Sequence, residues 1–149
     1  MVCIYCGKKT KVTNSRPRAR LNGTWRRREC TGCHAVFTST EMVALTDVMR
    51  AKKRSGIIEN FERDKLFMSI YRSIDHLPDP IKLSRELTDT VISKLFRKKP
   101  MSPIIETSAI SSVTAQTLKA FNAAASVRYL SFQTNMQLSN DVRKKLKNA

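Results

Sequence analysis

The sequence predicts an α+β protein: a small N-terminal β module organised by a metal, then a mostly α-helical domain opened by a β-hairpin. Three observations carry that expectation. All four cysteines fall in two C-x-x-C knuckles, Cys3-Ile4-Tyr5-Cys6 and Cys30-Thr31-Gly32-Cys33. The segments between and after the knuckles are short β-favouring runs broken by turn signals. From Asn60 onward, apolar residues recur at helical spacing.

Two knuckles separated by a couple of dozen residues predict a four-cysteine zinc site formed by Cys3, Cys6, Cys30 and Cys33. Two intervening residues let one tight turn present both sulfurs to a tetrahedral ion, with Zn–S near 2.3 Å, about the usual bond length. Two disulfides are the competing pairing, but nothing marks a secreted chain, and a C-x-x-C disulfide is more typical of redox sites. Four thiolates close the coordination shell, so the expected zinc is structural rather than catalytic. His34, next to Cys33, could replace a sulfur; an exposed polar role is the expected one.

Within the first module, Lys11-Val12-Thr13-Asn14-Ser15 alternates loosely and Asn22-Gly23 has the composition of a two-residue hairpin turn. Thr24 to Glu29 is expected to run as a strand into the second knuckle, and Ala35 to Thr40 to follow as another. Knuckle, hairpin, knuckle, strand is the layout of a zinc ribbon. Such a module buries too little to fold alone, and zinc supplies an apparent stability of about 10–16 kcal/mol in small zinc peptides.

Met42 to Met49 reads as a β-favouring stretch, followed by the basic turn Arg50-Ala51-Lys52-Lys53-Arg54-Ser55-Gly56 and a returning strand at Ile57-Ile58-Glu59. A helix is expected from an Asn60 cap, with Phe61, Phe67, Ile70, Tyr71 and Ile74 on one stripe, closing at His76-Leu77-Pro78. The next should start at Ser84, turn Leu87, Val91, Ile92 and Leu95 inward, and end at Lys98-Lys99-Pro100. Pro100 and Pro103 mark a loop. A third helix is expected over Thr107 to Phe121, with Ile110, Val113, Leu118 and Phe121 inward. A fourth, over Ala124 to Leu138, should present Val127, Leu130 and Met136. The resulting division is a zinc ribbon at 1–45, a helical domain at 46–138 and a basic tail at 139–149.

Of 149 residues, 28 are Lys or Arg and 12 are Asp or Glu, a formal net charge of +16. That excess points to a polyanionic partner. It is densest at the front, where residues 1–40 hold nine Lys/Arg against one acid. No apolar run approaches the roughly 20 residues of a spanning helix, and the start lacks a signal-peptide core. The chain therefore reads as soluble and intracellular, with no membrane partner.

Arg16, Arg18 and Arg20 are expected on the loop before the strand, and Arg26-Arg27-Arg28 lead along it into the second knuckle. Alternation along a strand would project Arg26 and Arg28 together and Arg27 away. These six arginines form the expected nucleic-acid surface, since guanidinium pairs bidentately with phosphate or with guanine O6 and N7. Trp25 could stack on a base, though a place in the core is the favoured assignment. Taken alone, Lys52 to Gly56 is a solvated turn; no G-x-x-x-x-G-K-[ST] occurs. No nucleophile–base pair or paired carboxylates stand out, so no enzyme activity is expected.

The order and spacing of several segments resemble one family. They are Cys3-x-x-Cys6-Gly7, Lys11-Val12-Thr13-Asn14-Ser15-Arg16, Arg26-Arg27-Arg28-Glu29-Cys30-x-x-Cys33, Phe37-Thr38-Ser39-Thr40-Glu41, Lys53-Arg54-Ser55-Gly56, Phe61-Glu62-Arg63-Asp64-Lys65-Leu66 and Ala125-Ser126-Val127-Arg128-Tyr129. Over nearly its whole length the chain resembles the bacterial ribonucleotide reductase transcriptional repressors of the NrdR type, which join a zinc ribbon to an ATP-cone. The resemblance implies a cytoplasmic, nucleoid-associated homo-oligomer that binds double-stranded DNA upstream of ribonucleotide reductase genes. It also implies a cone that reads ATP against dATP by changing oligomeric state, with Lys53, Arg54, Glu59 and Lys65 holding the nucleotide. Tyrosines that the family carries near its last helix are Ser126 and, in the closing segment, Gln133 here, and Ala51 and Ser55 also depart from the pattern. An alternative is a nucleic-acid-binding ribbon whose cone serves assembly only. An enzyme of nucleotide metabolism is a third class that no constellation of residues supports.

Overall fold

The computed structural model describes residues 1–18, 23–97 and 103–133. The chain divides between Ala44 and Leu45 into two compact units. The architecture is α+β, with a small antiparallel sheet carrying the cysteines and a mostly helical region after it.

The first unit is a meander of β1 (Thr10–Arg18), β2 (Gly23–Cys30) and β3 (Val36–Met42), with β2 in the middle. Its buried residues, among those described, are Cys3, Arg28 and Cys30. Hydrophobic burial therefore contributes little, and the knuckles take the place of a core. Trp25 is half-buried within β2 rather than enclosed. Gly23 is a strand residue opposite Arg18 and Met42, which displaces the expected Asn22-Gly23 turn; position 22 lies outside the described residues. A β-carbon at position 23 would fall 2.5 Å from the Glu41 carbonyl oxygen, so glycine is what lets β3 approach.

The pairing of β1 with β2 contains one irregularity. Val12 opposes Arg28 and Asn14 opposes Arg27, leaving Thr13 without an opposite number. Two consecutive positions of β2 face three of β1, the signature of a β-bulge. The Thr13 hydroxyl donates to the Arg27 carbonyl at 3.3 Å, fastening the bulge to the central strand.

The second unit begins with a short helix, α1 (Leu45–Val48), not the expected strand over 42–49. Met42 ends β3 of the first unit, and the strand falls on residues assigned to the basic turn: β4 is Arg50–Lys52, paired antiparallel to β5 (Ile58–Asn60). The hairpin exists, but its turn is 53–57, closed by Gly56 N–H donating to the Lys53 carbonyl at 2.9 Å. Gly56 has φ +85°, a left-handed conformation that favours glycine.

Asn60 lies in β5, so α2 (Arg63–Ile74) is entered through Glu62. Its inward face is Leu66, Ile70, Ser73 and Ile74; Phe67 and Tyr71 are half-buried and stack on each other with centroids 6.3 Å apart. Helix α3 (Pro80–Arg97) starts a turn earlier than Ser84, with proline at its first position, where its missing N–H has no helical partner to lose. Leu87, Val91 and Leu95 are buried and Ile92 packs at the margin.

A third strand, β6 (Ile104–Glu106), is announced by no pattern in the sequence. It pairs parallel to β4, making a sheet of order β5-β4-β6, with Ala51 opposite Ile105 at its buried centre. Helix α4 (Thr107–Phe121) has the expected span and buries Val113, Thr114, Thr117 and Leu118, but Phe121 is exposed. Residues 123–133 are helical and turn Ala125, Ser126 and Tyr129 inward, so Val127 and Leu130 lie on the exposed side, contrary to expectation. Arg128 anchors this helix to the end of α2 through Asp75 at 2.9 Å. Met136 and the basic tail lie outside the described residues. Among the described residues, no helix is long and apolar enough to cross a membrane.

Leu118 is fully enclosed in the helical core. Leu118→Ala should cost the second unit about 2–5 kcal/mol, read as a lowered midpoint in urea unfolding.

Candidate functional site

The two knuckles are built alike. In each, the first cysteine's backbone N–H donates to a carbonyl five residues on: Cys3 to Lys8 at 2.8 Å and Cys30 to Ala35 at 2.9 Å. The residue after each second cysteine is left-handed, Gly7 at φ +71° and His34 at φ +57°. Backbone N–H groups also point at the sulfurs, from Tyr5 to Cys3 Sγ at 3.4 Å and from Gly32 to Cys30 Sγ at 3.3 Å. His34 thus serves the turn, lies exposed, and reaches toward Glu29 at 3.6 Å rather than into the cluster.

The four Sγ atoms lie within 4.8 Å of one another, with Cys3–Cys33 at 3.7 Å and Cys6–Cys30 at 3.4 Å. Sulfurs at the corners of a tetrahedron with zinc-length bonds sit about 3.8 Å apart. All four cysteines are free thiols, so the disulfide alternative falls. The N–H groups of Cys33 and Gly32 pull the Cys30 thiol down to about 6, against the effect of burial. For Cys33 the Ala35 N–H favours the thiolate, yet the adjoining Cys6 sulfur, burial and the remaining sulfurs push the thiol up to about 12. Four thiolates so close repel one another, and a dication removes that conflict. The donor set is soft and complete, and it fits a structural zinc.

Register assigns the sheet's side chains to two faces, because directly opposed residues share a side. One face carries Arg26 and Arg28 with Val12, Ser15, Phe37, Ser39 and Glu41. There Arg26 pairs with Glu41 at 2.7 Å and its Nε is closed off from solvent. Arg28 is only 9% exposed and donates from Nε to Ser39 Oγ at 2.8 Å. The other face carries Lys11, Asn14, Arg16, Arg18, Trp25, Arg27, Glu29, Thr38 and Thr40. On it Arg16, Arg18 and Arg27 are exposed and, among the described residues, make no ion pair. Glu29 is held by Lys11 at 3.3 Å. Arg20 lies outside the described residues.

In the second unit, the turn between β4 and β5 and the start of α2 bring Lys53, Glu59 and Lys65 together. Glu59 receives Lys53 at 2.6 Å and Lys65 at 3.4 Å. The Lys53 hydrogen bond, and after it Lys65, hold the Glu59 carboxyl below the usual carboxylate range despite partial burial. Arg54 is exposed in the turn. Lys52, on β4, pairs with Glu106 of β6 at 3.3 Å. Asn14, Thr38 and Thr40 lie in segments that carry the resemblance, but only the observed register places them beside the arginines.

Residues 1–41 match a family described as the Transcriptional repressor NrdR-like, N-terminal domain. Longer similarities extend over both units. A transcriptional repressor NrdR of Methylacidiphilum infernorum is 34% identical over 132 residues, covering 88% of this chain and 78% of its own. One from Thermoanaerobacter sp. strain X514 is 30% identical over 99% of this chain and 92% of its own. One from Symbiobacterium thermophilum is 28% identical over 98% and 95%.

Cys30→Ser should drop zinc from about one ion per chain to near zero and melt the first unit, as metal analysis and circular dichroism would register. Glu59 supplies a second expected outcome. A depressed carboxyl stabilises the fold above its unfolded pKa, and the gain is lost as pH falls through the folded one. Glu59→Gln should therefore be less stable than the parent near neutrality, with the two melting curves converging on acidification.

Proposed function

The chain belongs to the NrdR family of transcriptional repressors, and on that footing we propose that it binds double-stranded DNA upstream of ribonucleotide reductase genes under the control of ATP and dATP. The observation that carries this reading is the zinc-held sheet of exposed arginines, in a chain matched along most of its length by proteins named as repressors. The family is one of repressors and not of enzymes. Zinc here has a structural part only, closing the module that presents the arginines.

In this reading Arg16, Arg18, Arg20, Arg26, Arg27 and Arg28 supply the positive potential of the ribbon, and phosphate neutralisation gives the salt-dependent share of affinity. One small module can touch only a short stretch of duplex. A homo-oligomer engaging adjacent sites with several ribbons gains affinity through effective concentration. The second unit is the ATP-cone of this assembly, cytoplasmic with the DNA it serves. Lys53, Arg54 and Lys65 take the phosphates, and Glu59 accepts from a sugar hydroxyl or the adenine amino group. Glu59 already occupies both lysines, so nucleotide binding exchanges carboxylate for phosphate as their partner. The effectors act by binding DNA-competent and incompetent arrangements with different affinity.

A second reading, in which the cone serves assembly only, is favoured by one observation. Where the resemblance places tyrosines, Ser126 is buried and donates to the Ala115 carbonyl at 3.0 Å, and Gln133 donates to Tyr129 Oη at 3.1 Å. Those positions are occupied by internal bonds.

Nucleotide-stripped protein should bind ATP and dATP in calorimetry, and each should alter both the native mass and the shift of promoter DNA. Lys53→Ala combined with Lys65→Ala should weaken nucleotide binding at least about tenfold, a loss of about 1.4 kcal/mol. Unaltered mass and DNA shift with either nucleotide would leave the assembly-only cone.

A further inference from the structure

We propose that the duplex-reading surface of the ribbon is the Arg27 face of its sheet. The Thr13 bulge creates that face by bringing Arg16 and Arg18 onto it, while Arg26 and Arg28 position the strands from the opposite side. This inference rests on the DNA-binding reading above and assigns the work within it.

The register shows how the bulge acts. On the knuckle side of Thr13, Lys11 opposes Glu29 and Val12 opposes Arg28; beyond it, Asn14 opposes Arg27 and Arg16 opposes Trp25. Continued without interruption, the first pairing would set Arg16 opposite Thr24, on the face of Arg26 and Arg28. One inserted residue reverses the side of every residue after it. Arg16 and Arg18 thereby join Arg27 and Lys11.

The two faces differ in what their cations are free to do. Arg26 would have to leave Glu41, and Arg28 would have to leave Ser39 and its burial, before either met a phosphate. Arg16, Arg18 and Arg27 are exposed and need break no ion pair among the described residues. Asn14 and Thr38 flank Arg27 in one cross-strand row, and Arg16 and Thr40 flank Trp25 in the next. The first of these rows brings together an amide suited to adenine, a guanidinium suited to guanine and a hydroxyl suited to either or to phosphate. The major groove is about 12 Å wide and admits two strands, and β1 and β2, which carry all three of these arginines, form one edge of the three-stranded sheet. Single strands are instead held on stacking aromatics; this face has one aromatic, and it is half-buried.

The test uses the full-length, zinc-loaded protein with a mixed-sequence DNA duplex, titrated by anisotropy over a salt series. Combining Arg16→Ala, Arg18→Ala and Arg27→Ala should flatten the slope of log affinity against log salt by about 3, near 0.9 for each phosphate no longer neutralised. The corresponding triple lysine variant should restore it, separating a missing charge from a damaged fold. Arg26→Ala should flatten the slope by less than one phosphate contact, and Arg28→Lys should act on zinc retention and melting instead. Asn14→Ala should change the base preference recovered from a randomised duplex pool. An unchanged slope in the alanine triple, or a slope lost with Arg26→Ala at full zinc content, overturns the assignment while DNA binding stands. Parent protein that ignores duplex, or prefers single strands, overturns the assignment together with the duplex reading beneath it.

Discussion

Everything in the first unit depends on bringing four sulfurs within a single coordination sphere. Cys30 ends the central strand and Cys3 precedes the first, so one ion ties the start of the chain to the far end of the hairpin. With only Cys3, Arg28 and Cys30 buried among its described residues, this unit has almost no apolar interior to lose. A sheet normally gives one face to a core. Here the metal takes over that role, and neither face need be hydrophobic. One face is crossed by Arg26–Glu41 and the other by Lys11–Glu29, which leaves Arg16, Arg18 and Arg27 of that second face exposed and, among the described residues, without an ion pair.

The second unit solves its stability in the ordinary way, with helices packed round Ile70, Val91 and Leu118. Its polar features sit at the edge of that core. The turn closed by Gly56 projects Lys53, β5 projects Glu59 back against it, and the first turn of α2 adds Lys65. Two cations on one carboxylate leave local positive charge unneutralised. That arrangement is stable without a ligand and suited to an anion, because a phosphate can take the carboxylate's place without leaving a cation bare.

What could be read from the sequence follows from which signals are local. The zinc ligands were legible because cysteine pairs encode geometry in spacing alone. The span of helix α4 is legible because the helical period runs unbroken between the loop marked by Pro100 and Pro103 and Asn122, which caps it. The β4 strand was not, since Arg50-Ala51-Lys52 buries only Ala51 and resembles a turn in composition. β6 went unseen because its partner in parallel pairing lies some fifty positions away, and no local pattern announces such a pairing. The inward face of residues 123–133 runs against apolar size, because small Ala125 and Ser126 are buried while Val127 and Leu130 are exposed. Size of the apolar side chain, a good guide on α3, failed where helices approach closely.

The arginines show a different kind of illegibility. Stepping by twos along β1 and β2 groups Arg16, Arg18, Arg26 and Arg28 on one side, and every step is sound except for the continuity it assumes. Thr13 carries no mark of a bulge in its identity; the shift appears only when the knuckle fixes one end of the pairing and the hairpin fixes the other. Contact and charge then become separate quantities. Arg26 and Arg28 face away from the surface that holds Arg27, and a sheet layer about 10 Å deep is comparable to the screening length of about 8 Å at physiological salt. Their charge therefore reaches a polyanion on the other side only in weakened form, contributing to its approach rather than to its contacts. On the proposed assignment the exposed arginines set what the ribbon touches, and the paired ones add only to the potential around it.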